Sequence, residues 1–107
     1  MKETYAEMVN AAYDRLNAAV AELRTKELTL VEAKTQLANE TAEAHHNGLI
    51  DGKNQQARDA AERMLMGENI RYVTWCEIAV ANAKLEYELA TNERRRVDAL
   101  LVIAQLD

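Results

Sequence analysis

From Thr4 to about His46 the apolar positions recur with a spacing of three and four. Val9, Leu16, Leu23, Leu30 and Leu37 stand seven residues apart. Ala12, Ala19, Lys26, Ala33 and Glu40 follow each of them by three. That alternation predicts a coiled-coil seam, narrower than the stripe of a helix on a globular core. Large Leu at one seam position and mostly Ala at the other predicts a partner helix held close. A second helix is predicted from about Asn54 to Leu106, with mild irregularity near Gly67 and Glu68–Arg71, where the stripe blurs. At ~1.5 Å per residue the two would be roughly 65 Å and 80 Å long.

Between them lies His45-His46-Asn47-Gly48-Leu49-Ile50-Asp51-Gly52-Lys53-Asn54. Gly48 suits the left-handed position just past a helix end, with Leu49 folding back onto the last turn. Asp51-Gly52 is turn chemistry. Asn54 is a good N-cap. A hinge over about 47–53 is short, and short loops join antiparallel neighbours. The expectation is therefore an all-α, single-domain chain (1–107) of two long antiparallel helices forming a coiled-coil hairpin.

Pairing Leu37 with Met64 gives a definite register. It sets Leu30 near Arg71, Leu23 near Ile78, Leu16 near Leu85 and Val9 near Asn92. On the alternate positions Lys26 meets Trp75, Ala19 meets Asn82 and Ala12 meets Leu89. Tyr5 then falls near Arg96, and Val97–Leu106 projects past the start of the first helix. That segment, VDALLVIAQL, is apolar nearly all round. A helix of that kind is buried by something. Val97, Leu100, Leu101, Ile103 and Leu106 are thus expected to form an interface with another copy, giving a dimer or a larger helical bundle.

Composition sharpens this picture. The 107 residues include no Pro and three Gly, so little interrupts a helix. Aromatics are 5% against 49% hydrophobic, which suits thin seams better than a thick core. The net charge of −5 makes nucleic acid a possible but disfavoured partner. The single Cys76 excludes an intramolecular disulfide and fits a reducing compartment. No apolar run at the start reads as a signal peptide and none spans a bilayer, so the expected location is cytoplasmic, with no membrane partner.

Chemistry is sparse. With no Ser, one Cys and histidines only at His45 and His46, no nucleophilic triad assembles within one chain. Adjacent histidines point about 100° apart on a helix and do not chelate one metal. There is no phosphate-cradling Gly-rich loop. No catalytic residue, metal site or cofactor is expected. Arg94-Arg95-Arg96 is the sharpest charge run, placed by the register opposite Glu3 and Glu7. Salt bridging is its plain role, and contact with an anionic partner its alternative.

Gly48-Leu49-Ile50-Asp51-Gly52-Lys53-Asn54-Gln55-Gln56-Ala57-Arg58 resembles the G-x-I-x-GKN-x-x-x-R hinge of small helical-hairpin proteins encoded by bacteriophages and prophages, mostly of unassigned function. The likeness covers about eleven residues and the architecture. It implies a hinge motif of Gly48, Gly52, Lys53, Asn54 and Arg58, a phage origin, action in a host cell's cytoplasm and an accessory role. The expected function is non-enzymatic binding of a protein partner, with inhibition of a host defence or host enzyme as one form. A nucleic-acid- or nucleotide-sequestering module and a structural virion component are the alternatives.

Overall fold

In a computed structural model, described over Lys2–Leu106 with side chains from Thr4, the chain is two helices: α1 (Lys2–His46) and α2 (Gln55–Leu106). They pack against each other, and no strand occurs among the described residues. α2 runs through Gly67 unbroken, so the expected irregularity is absent. Contacts group into two compact units, Met1–Lys26 with Val80–Asp107, and Glu27–Ala79. Within each, the helical segments run antiparallel.

The hinge closes the second of these units. At the end of α1 the Gly48 N–H donates to the His45 carbonyl at 3.1 Å and the Leu49 N–H to the Ala44 carbonyl at 2.9 Å. With Gly48 at φ 73°, this is a Schellman termination, which satisfies carbonyls left over by the last turn. The apolar plug is one residue later than expected. Leu49 is exposed, whereas Ile50 is buried with Ala44 and Met66. Asn54 caps α2: its Oδ1 accepts from the Ala57 N–H at 2.9 Å. Gly52 is required by space, since a Cβ there would lie 2.7 Å from the Cβ of Ala57. Arg58 donates to the Gly52 carbonyl at 3.4 Å and to Gln55 Oε1 at 3.3 Å. It ties down the loop.

All ten expected seam positions of α1 are buried or half-buried. On α2 the seam is not the expected one. Met64, Arg71, Ile78, Leu85 and Asn92, with Trp75, Asn82 and Leu89, are all exposed. The buried positions are Met66, Val73, Cys76 and Val80, then Ala83, Ala90 and Val97. Leu37 packs against both the Ala33–Val73–Cys76 cluster and the Ala44–Ile50–Met66 cluster, so it sits between Met66 and Val73.

The cause is steric. α1 offers Ala12, Ala19, Ala33 and Ala44 to the interface, all at most 5% exposed. Opposite these alanines the buried positions of α2 are mostly Ala, Val and Cys, with the one longer side chain, Met66, beside Ala44 and Ile50 at the hinge end. Close approach recovers in dispersion what small side chains lack in area. In the second unit the Asn69 amide donates to the Glu40 carboxylate, a polar pair beside the seam. Such a pair favours one register over its neighbours.

Pairing is also displaced by roughly one heptad. Tyr5 and Val9 line a groove together with Leu101, Ala104 and Gln105, so Tyr5 does not sit at Arg96. Val97 is 3% exposed and Leu100 and Leu101 are half-buried. The expected overhang of 97–106 is therefore lined by α1 and does not project past it. Lys26, expected to meet Trp75, pairs through its Nζ with Glu22 at 3.4 Å, and Trp75 is exposed.

Ala90, at 0% exposure, reports on seam spacing most directly. Ala90→Leu is expected to lower stability by about 1–3 kcal/mol through overpacking. Trp75→Ala, on the opposite face, should change monomer stability by about 0.5 kcal/mol or less. Urea unfolding of both variants checks the pair. At the hinge, Gly48→Ala should cost about 1–2 kcal/mol, from the left-handed backbone it retains.

Candidate interaction surface

Displacing the seam leaves large side chains outside. In the Glu27–Ala79 unit the outward positions of α2 are Met64, Glu68, Arg71, Trp75 and Ile78, again spaced by four and three. Met64 is 88% and Trp75 76% exposed, and Ile78 is also exposed. Leu65 and Tyr72 flank the row on one side and are exposed too. α2 thus has a second coiled-coil stripe, pointing away from α1. Scattered exposed apolar residues are ordinary, but a heptad row that includes a tryptophan is a candidate interaction face.

In the unit of Met1–Lys26 with Val80–Asp107, Leu85 and Leu89 are exposed. Near the end of α2, Val102, Ile103 and Leu106 are exposed beside an apolar groove of about 620 Å³ lined by Tyr5, Val9, Leu101 and Ala104. Of the five residues expected to form an oligomer interface, Ile103 and Leu106 offer outward surface. Val97 is enclosed by its own chain, and Leu100 and Leu101 are partly so.

The arginine run is dispersed. Arg94 is half-buried, with its guanidinium 5.9 Å from the centre of the Tyr13 ring, a cation–π contact. Arg95 is exposed. Arg96 makes a two-pronged bond to Glu93 at 2.7 and 3.1 Å. Successive helix positions diverge by about 100°, so the three do not converge on one anion. None pairs with Glu7, and the Glu3 side chain lies outside the described residues. The hinge cations are separate as well: Arg58 is committed to the loop, and Lys53 is exposed.

Cys76 is buried in the seam beside Ala33 and Val73. Its thiol, one turn from Tyr72, holds that phenol above its ordinary value, through hydrogen bonding first and charge second. His45 Nε2 lies 3.7 Å from Glu62 Oε2. Among the described residues no three His, Cys, Asp or Glu side chains gather as a metal site. No described helix is long and apolar enough to cross a membrane.

Comparison with known protein families, curated proteins and solved structures finds no match to this chain.

The outward stripe of α2 has a signal in the sequence. Met64, Trp75, Ile78, Leu85 and Leu89 keep heptad spacing, and they are the residues expected in the intrachain seam. The pattern was real, but its partner was not α1.

One ion pair crosses between helices with two-pronged geometry. Arg15 donates to Glu86 at 2.8 and 3.2 Å, and these bonds hold the Glu86 carboxyl below its ordinary range. A carboxylate with a lowered folded value adds stability above its unfolded value, and that stability disappears as pH falls through the folded value. Thermal melts of the wild type should therefore show a stability loss that starts below the usual Glu range, about pH 4.3, and Glu86→Gln should flatten that part of the profile. The effect is small, because the pair is solvent-accessible. Identical pH profiles would show that the pair contributes nothing.

Proposed function

We propose that this chain is a non-enzymatic protein-binding module that works as an oligomer and engages partners through the outward face of α2. The observation that carries this reading is the heptad row on that face, with Trp75 and Met64 largely in solvent. Trp and Met are enriched at interfaces, and a few such anchors supply most of the binding energy.

The hinge supports a phage accessory origin through its G-x-I-x-GKN-x-x-x-R pattern. Its geometry accounts for most of that pattern without any ligand. Gly48 ends α1, Ile50 plugs the core, Gly52 admits Ala57, Asn54 caps α2 and Arg58 holds the loop. The role we assign is occupation of a host protein's surface in the host cytoplasm, inhibiting a defence or an enzyme. The nucleic-acid alternative loses its main support, since Arg94, Arg95 and Arg96 face different surroundings.

The test is mass in solution. At micromolar concentration the assembly should weigh at least twice the 12.1 kDa chain. Trp75→Ala should weaken association by roughly thirtyfold, about 2 kcal/mol, while circular dichroism stays helical. A wild-type monomer throughout that range contradicts the self-association.

A further inference from the structure

We infer that the outward stripe of α2 in the Glu27–Ala79 unit binds the same stripe of a second copy, antiparallel, about a two-fold axis between Glu68 and Arg71. This rests on the protein-binding reading above and names both its partner and its register.

The argument begins with the two charges in the row. Glu68 and Arg71 are exposed, occupy successive stripe positions, and take no part in any ion pair between described residues. Charges at the centre of an apolar row oppose any partner that leaves them unmatched. A second copy lying parallel would set Glu68 on Glu68 and Arg71 on Arg71. Turned antiparallel and centred between these residues, Glu68 of each copy meets Arg71 of the other, so two opposite-charge pairs form and every charge has one partner.

That register matches the rest of the row. Met64 meets Trp75, a thioether on an aromatic ring, a favourable pair. At the edge of the contact Ile78 lies opposite Ala61, which is half-buried against the Ala44–Ile50–Met66 cluster of its own chain. On one flank the exposed Leu65 meets Tyr72. On the other, Gly67 meets Thr74, whose hydroxyl is already bonded to its own helix at the Ile70 carbonyl, 3.2 Å away. A Cβ on Gly67 would meet no atom nearer than the Arg71 side chain at 3.7 Å, so its own chain does not require the glycine. Glycine mid-helix costs about 1 kcal/mol relative to Ala. At this flank it lets the partner's backbone come close.

Other registers fail on charge. Sliding one heptad one way places Glu68 on Ile78 and Arg71 on Trp75. Sliding the other way places Glu68 on Met64 and Arg71 on Ala61. Both bury unmatched carboxylates. Ala61–Ile78 amounts to about 27 Å of helix, five turns contributed by each copy.

A charge-exchange cycle tests the inference. Glu68→Arg and Arg71→Glu each create like-charge pairs and should raise the dissociation constant at least roughly tenfold in sedimentation equilibrium. The double variant Glu68→Arg/Arg71→Glu restores opposite charges across the axis and should regain most of the wild-type affinity. Both residues are exposed, so helicity and the urea midpoint of the monomer should hold in every variant. A dimer indifferent to both single changes, or one that the double change fails to rescue, overturns this register while leaving self-association standing. A wild-type monomer at tens of micromolar overturns both.

Discussion

Close approach of the two helices along rows of alanine is the constraint on which the rest depends. Ala12, Ala19, Ala33 and Ala44 on α1 are buried, and the face of α2 that is buried carries Met66, Val73, Cys76, Val80, Ala83, Ala90 and Val97. Excluded volume, not hydrophobicity ranking, therefore decides which side of α2 turns inward. Trp75 is larger than any side chain in the seam, yet it stays outside. In a close-packed interior a large side chain in a small gap forces the helices apart and forfeits contacts along neighbouring turns.

This selection sets what the protein can do. A helix whose larger apolar stripe has no partner in its own chain has interaction surface to offer. The hinge helps by ending α1 sharply at Gly48 and starting α2 at Asn54, with Ile50 sealing the end of the seam. Rigid helices present side chains at fixed spacing, so a matching helix meets them with little ordering cost. Charge adds selectivity: one acidic and one basic residue in the outward row discriminate against parallel or shifted partners.

Much of this was legible in the sequence. The α1 seam could be read position by position, because its apolar residues form one heptad stripe and nothing competes with it. The hinge was equally readable from Gly48 and Asn54, whose backbone demands are local. The α2 face was not. That helix satisfies heptad periodicity on two faces, and weighting by side-chain size favours the stripe containing Met64, Trp75 and Ile78. Discriminating between them requires the space left by α1, a tertiary quantity. The same error moved the register by a heptad and created an apparent overhang, while the actual surplus of apolar surface lies along the side of α2. The arginine run misled for another reason: adjacent charges in sequence diverge on a helix, and Arg94 is drawn onto Tyr13.

Trp75 is the chain's one tryptophan, which makes the central claim directly measurable. Its fluorescence, with acrylamide quenching, should be followed from high concentration down to dilutions at which the chain is monomeric. The account predicts an indole that becomes fully quenchable and red-shifted on dilution while helicity persists, because the seam never contained it. An indole that stays shielded at every dilution would place Trp75 against α1 and contradict the choice of face.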